Sequence, residues 1–154
     1  MTPIVFKVFA YITHQNRLLI FRHTDFPEAG IQVPAGTVKA NEDLAAAVLR
    51  EAEEETGLHD LRIKSYLGEQ IRNMEDCGKD EIHHRYFYHL LCDGDPPGEW
   101  QHAESDPSDG SSAPIHFEFF WAAIPHQIPE LICDHGIMLP RLEKALSDGN
   151  QSVE

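Results

Sequence analysis

The chain has 154 residues, 42% hydrophobic and 25% charged, which suits one soluble domain able to bury a proper core. Its formal charge of −14 excludes general nucleic-acid binding, which needs a basic surface, but permits a small anionic ligand reached through a bound cation. No run is apolar enough to span a membrane, and the opening MTPIVFKVFAYITH lacks the organisation of a signal peptide.

In chain order, residues 4–13 are apolar and β-prone, His14-Gln15-Asn16 reads as a tight turn, and residues 17–22 read as the returning strand. Arg22 and His23 close that strand, either as exposed strand-end charges or as contacts to a substrate phosphate. A loop over 23–30 leads to a short extended segment, Ile31-Gln32-Val33-Pro34-Ala35. Residues 41–56 predict a helix, with Asn41 as its cap, Glu42 and Asp43 in its first turn, and Gly57 as its stop.

At about 100° per residue, Ala45, Val48, Leu49 and Ala52 form the apolar stripe of that helix. Glu51, Glu54 and Glu55 gather beside the stripe at i, i+3 and i+4, while Glu53 points elsewhere. Close like charges cost a few tenths of a kcal/mol per pair on a bare helix. Two readings remain open: a solvated acidic face, or three oxygen donors for a hard divalent cation.

Further along, residues 61–68 and 69–72 are strand-like, and residues 74–80 form a polar turn. Residues 81–92 (EIHHRYFYHLLC) are the clearest long strand. Its His83, His84 and His89 read as ordinary sheet residues, since adjacent positions face opposite ways. Residues 93–114 predict a mobile loop rich in Pro, Gly, Ser and Asp, with Trp100 as an anchor or as a platform for a base. Strand returns over 115–123, and helical spacing links Ile137, Met138, Leu142, Ala145 and Leu146, with Pro140 near the first turn or at a kink. A single domain over 1–147 with a frayed tail over 148–154 is expected. Cys77, Cys92 and Cys133, odd in number and without CxxC spacing, predict reduced thiols in a cytoplasmic protein.

The stretch 36–58, GTVKANEDLAAAVLREAEEETGL, resembles the Nudix box at every defining position: Gly36, Glu42, Arg50, Glu51, Ala52, Glu54, Glu55, Gly57 and Leu58. The resemblance implies an α/β/α sandwich, with a mixed sheet between helices. It also implies hydrolysis of the pyrophosphate linkage in a nucleoside diphosphate joined to another moiety, a nucleotide sugar or a nucleoside triphosphate. Glu51, Glu54 and Glu55 are then the ligands of Mg²⁺ or Mn²⁺, with Glu54 and Glu51 taking part in catalysis. Arg50 orients the carboxylates, and Gly36 and Gly57 serve as turn positions.

Family members often carry a glutamate at the start of the late strand, and Glu118 in Glu118-Phe119-Phe120-Trp121 is similar; it is the expected base or added ligand, with Glu75, Glu99 and Glu104 as loop rivals. Arg22, His23 and Trp100 are the expected substrate contacts. The fold leaves room for a homodimer, and no nucleic-acid polymer or membrane partner is expected. Markers of individual substrate classes are partial: Pro34-Ala35-Gly36 looks like the ADP-ribose group, yet Gln32 stands where that group tends to have Glu. The alternative is a nucleotide-binding sensor on the same fold, which intact box carboxylates weigh against.

Overall fold

The computed structural model describes residues 1–104 and 114–151. Its strands are β1 (Ile4–His14), β2 (Arg17–His23), β3 (Ala35–Thr37), β4 (Leu61–Asn73), β5 (Ile82–Cys92), β6 (Glu99–Glu104) and β7 (Ile115–Ala123). Two helices accompany them, α1 (Leu44–Thr56) and α2 (Leu139–Gln151). Six strands lie in the order β4-β5-β1-β2-β7-β6, and β3 pairs with β1. The β1–β5 pair is parallel and the other pairs are antiparallel, so the sheet is mixed.

Alternation along β1 builds the two faces of this sheet. Val8, Ala10 and Ile12 pack with Ala47, Val48 and Ala52 of α1, whereas Phe9 and Tyr11 pack with Met138 and with Leu142 of α2. Both sets are almost fully buried, which explains why the strand reads as an unbroken apolar run. The α/β/α sandwich expected from the sequence is what forms.

β1 and β2 pair only beside their turn, at Thr13↔Leu18 and His14↔Arg17, and then diverge. The segment running into β3 fills the fork. Phe21 and Gln32 exchange both backbone hydrogen bonds at 2.9 Å, and Ala10 N donates to Pro34 O at 2.8 Å. β3 continues along β1, with Val8 opposite Gly36. This wedge carries the start of the box into the middle of the sheet.

Four sequence expectations need correction. Asp43, not Asn41, caps α1: its extended backbone lets the carboxylate accept from Ala46 N at 3.2 Å, while Asn41 sits in a left-handed turn at φ 62°. Glu42 therefore lies outside the helix. The stretch 93–114 is not all loop, because Glu99–Glu104 pairs with β7 as an edge strand; residues 105–113 lie outside the described residues. The C-terminal helix runs on through Gln151 where a tail was expected, and 152–154 lie outside the described residues.

Cys77 and Cys133 are joined as a disulfide, Cα to Cα 6.3 Å, and only Cys92 is free. They are 56 positions apart in sequence, and spacing gave no hint that two 3₁₀ turns, Glu75–Cys77 and Ile132–Asp134, would meet. This removes the cysteine argument for a cytoplasmic setting. Among the described residues no helix is long and apolar enough to cross a membrane.

The run into α2 is tied to the sheet by buried polar groups. Tyr11 Oη donates to His135 O at 2.6 Å and accepts from Met138 N at 3.1 Å, and His135 Nδ1 accepts from Val33 N at 3.2 Å. Burial pushes the His135 imidazole down to about 3, and that of His89, bonded to Thr13, down to about 4. Both folded values lie below the unfolded value of about 6.5, so folding favours the neutral rings. Their contribution is complete above about pH 6.5 and is lost as pH falls toward the folded values. Thermal melts should therefore give a lower midpoint at about pH 5 than at about pH 7.5. His135→Asn should lower the midpoint more at the higher pH, narrowing the gap; a wild-type midpoint that rises toward pH 5 contradicts this account.

Candidate active site

Helix α1 brings the box carboxylates to the wedge. Its last residues are fixed by Gly57, which adopts the left-handed conformation at φ 79° and donates from its N–H to Glu53 O. A side chain there would also meet the His102 ring at 2.9 Å. His102 Nε2 donates to Glu54 O at 2.9 Å, and Trp100 Nε1 donates to Thr56 O at 2.9 Å. Strand β6 thus clamps the final turn of α1.

Arg50 gathers the charged side chains. It donates from Nε and Nη2 to the two Glu42 oxygens at 2.7 and 2.9 Å, and from Nη1 to Glu51 at 2.8 Å and Glu54 at 3.3 Å. Nη2 also reaches Thr37 O at 3.2 Å, which fastens the helix to β3. This fork of bonds holds the Glu42 carboxyl down at about 2, and raises the guanidinium above its ordinary value. Burial dominates at Glu51 and pushes its carboxyl up, against the pull of Arg50.

Gly36 makes the seat of Glu51, since a Cβ on it would overlap the Glu51 carboxylate. Glu55, 7% exposed, accepts from Ala35 N at 3.4 Å. The resemblance implies a divalent cation, and the donor chemistry fits one: Glu51 lies against Gly36, Glu55 accepts from Ala35 N, and Glu54 stands on the same helix face at 3.3 Å from Arg50, all carboxylate oxygens. Among the described residues no group of three or more His, Cys, Asp or Glu side chains stands in a ready-made coordination cluster. Arg50 occupies part of the charge that a cation would balance.

Beside this seat a cavity of about 800 Å³ opens at the β1–β2 fork. Glu55 and Ala35 line its box end, with Phe21, His23 and Phe117 on one side and Lys7, His83 and Arg85 on another. The two loops joined by the disulfide close it, and Arg72 bridges the same loops through Asp76 at 2.8 Å and Asp134 at 2.9 Å.

The expected site residues divide accordingly. Arg50 joins Glu51 and Glu54, Gly36 lies against Glu51, and Gly57 ends α1 beside His102; Glu55 and His23 line the cavity, His23 against Phe117. Arg22 does not: it is exposed, 4.6 Å from the Phe120 ring centroid. Trp100 is not in the cavity wall; as an anchor it stacks on Phe119 at 5.3 Å and supports the helix end. Glu118 is also absent from the cavity wall. Strand alternation turns Phe117 and Phe119 toward α1, so Glu118 faces the other way, opposite Arg22 and Gln101. Glu99 and Glu104, the rivals expected in loops, belong to β6. Lys7, Arg85 and Arg72 were missed; Lys7 offered a signal as the one Lys or Arg in the apolar run of β1, while nothing in the polar β4 or the histidine-rich β5 set Arg72 or Arg85 apart.

A family model described as the NUDIX domain matches residues 3–121. The chain belongs to the Nudix hydrolase family. No curated protein matches it in sequence. Among solved structures it resembles a UDP-X diphosphatase at 18% identity and TM-score 0.62, covering 97% of this chain and 65% of that one, just under two thirds of its length. A MutT protein from Methanosarcina mazei Go1 is similar at 18% identity and TM-score 0.62, covering 93% of this chain and 97% of the other. An ADP-ribose pyrophosphatase from Streptococcus suis 89-1591 is similar at 16% and 0.58, covering 92% and 90%. At these identities the structural likeness speaks for the Nudix fold.

Two substitutions test the geometry of the site. Gly36→Ala should displace Glu51 and lower turnover about tenfold or more, while the melting midpoint falls by only a few degrees. Glu118→Gln should leave turnover within about twofold of wild type in the same steady-state assay, as expected of a group away from the reacting atoms.

Proposed function

We propose that the protein hydrolyses the pyrophosphate linkage of a nucleoside diphosphate joined to another moiety, with Mg²⁺ or Mn²⁺ bound by Glu51, Glu54 and Glu55. The observation that carries this reading is the Glu51 seat on Gly36, organised by Arg50, at the end of a cavity with Glu55 in its wall. A cavity of about 800 Å³ also lies in the range that takes a ligand of nucleotide size. One structural neighbour, from Francisella tularensis, is a bifunctional NMN adenylyltransferase/ADP ribose pyrophosphatase complexed with AMP and a Mn ion; this chain covers 42% of it. That neighbour, the UDP-X diphosphatase and the ADP-ribose pyrophosphatase support nucleotide sugars as the first substrates to try.

Held by Glu51, Glu54 and Glu55, a divalent cation would neutralise diphosphate charge and make a bound water more acidic. The chain's own residues do the rest. Glu54 is the least enclosed of the three carboxylates, its side chain 54% exposed and its contact with Arg50 the longest of that group at 3.3 Å. It is the proton acceptor for the attacking water. Arg50 keeps Glu51 and Glu54 aligned, and its bonds to Glu42 and Thr37 O stop the guanidinium from following either. Lys7 donates to Thr37 Oγ1 at 3.2 Å beside the box end of the cavity.

Hydrolysis of nucleotide sugars, dinucleoside polyphosphates and nucleoside triphosphates, followed by chromatographic separation of the nucleotide products, tests the reading. Activity should require added Mg²⁺ or Mn²⁺ and vanish with chelator. Glu54→Gln should reduce turnover on the order of 10²-fold or more while the protein stays folded. Near-normal turnover of that variant under saturating Mg²⁺ would sink the assignment of Glu54.

A further inference from the structure

The inner wall of the cavity holds a charge that the reaction described above does not use. Arg85 is 1% exposed and lies within β5. Among the described residues its hydrogen-bond partners are the carbonyl of Cys133 at 2.6 Å, the Met74 sulfur at 3.2 Å and His83 Nδ1 at 3.4 Å. None is a carboxylate. The Phe9 ring lies 4.7 Å from the guanidinium carbon, which softens the burial without neutralising it. Asp134 acts on Arg85 through space but is hydrogen-bonded to Arg72 and Gln70; a buried cation without a bonded counter-ion is costly, and a cavity beside it is where an anion can enter.

Charges of both signs line the rest of the cavity. Lys7 is the register partner of Arg85 on β1, and the chain's 12 Lys and Arg residues place four, Lys7, Arg72, Lys79 and Arg85, around this one cavity. Asp76 and Asp134 are engaged by Arg72, and Glu55 belongs to the box end. Glu28 and Glu130 reach the wall from separate loops. Burial pushes Arg85 down to about 10, with further lowering from Arg72, and burial and Lys79 both lower Lys7. Glu55, Glu51 and Glu81 oppose the lowering at Lys7 and Asp134 opposes it at Arg85; an anionic ligand would offset what burial and the neighbouring cations leave.

This anion is not the scissile diphosphate. β1 separates β5 from β3, so the Arg85 backbone lies two strand spacings, roughly 10 Å, from that of Gly36. Met74, just beyond β4 on the far side of β5, holds the guanidinium away from the box. Adjacent phosphates of a diphosphate are much closer together than that.

We propose that Arg85, with Lys7, binds a further phosphate group of the substrate, carried on the moiety beyond the scissile diphosphate. The planar guanidinium offers paired donors that suit phosphate oxygens, and the nearby Lys7 ammonium adds a point charge. The inference rests on the cavity being the substrate site of a pyrophosphohydrolase, and it narrows the substrate class to phosphorylated or polyphosphate conjugates. A purely structural Arg85, anchoring the Cys133 loop, would leave substrate preference untouched.

The test compares ADP-ribose with ADP-ribose phosphorylated on its terminal ribose, in steady-state kinetics with Mg²⁺, and adds metal-free titration calorimetry with inorganic tripolyphosphate. Wild type should favour the phosphorylated substrate in kcat/KM by about tenfold or more, through KM, as a charge-assisted contact would produce. Arg85→Gln should erase that preference and weaken tripolyphosphate binding by about tenfold or more. Equal losses for both substrates, or no wild-type preference, overturn the proposal. If Arg85→Gln does not fold, Lys7→Met carries the same comparison. Failure to hydrolyse either substrate counts against the pyrophosphohydrolase reading alone. Calorimetry then decides the anion site: binding lost on substitution upholds it, and equal or absent binding overturns it.

Discussion

The Arg50 guanidinium is the interaction on which the site depends. One planar cation engages Glu42, Glu51, Glu54 and the Thr37 carbonyl, and so joins helix α1, the loop before it and strand β3. Without it, Glu51 and Glu54 would be close like charges on one helix face, with burial already opposing the charge on Glu51. The same bonds restrain these carboxylates from turning to solvent. Because Gly36 has no side chain, the helix can approach β3 closely enough for the arrangement to close. Orientation of carboxylates and docking of the helix are thus one structural event.

The cavity has a separate origin. It exists because β1 and β2 part after a two-residue pairing and admit the 31–37 segment between them. Its outer wall is made of two loops that have little regular structure of their own. The Cys77–Cys133 disulfide, the Arg72 bridge to Asp76 and Asp134, and the Arg85 bond to Cys133 O hold those loops in place. The box carboxylates therefore sit on a helix fastened to β3, while the part of the cavity farthest from them is shaped by cross-links between loops. That division suits an enzyme whose chemistry is common to a family and whose ligand is particular to the chain.

Corrections to the sequence reading follow a pattern. Trp100 and its neighbours lie in a stretch rich in Pro, Gly and Asp, which reads as loop; the pairing of β6 with β7 and the stacking of Trp100 on Phe119 override that composition. Glu118 was judged by its place near the start of a strand, but alternation along β7 had already assigned Phe117 and Phe119 to the α1 core, so Glu118 had to face away. The helix cap was misplaced by two residues because Asn41, Glu42 and Asp43 are all acceptable near a helix start, and only the left-handed backbone at Asn41 separates them.

The sequence by itself determined the carboxylate cluster, the helix that carries it, its glycine boundaries and the mixed α/β/α arrangement. Those features depend on spacing within one segment or on alternation within one strand, and spacing is what a sequence records. Only the tertiary structure decided that Lys7, Arg85 and Arg72 share a cavity, that Cys77 meets Cys133, and that Glu118 lies outside the cavity wall. Each of these joins or separates residues distant along the chain. Their positions follow from the strand order and from the fork between β1 and β2, where pairing across the sheet, not local preference, sets which side chains meet.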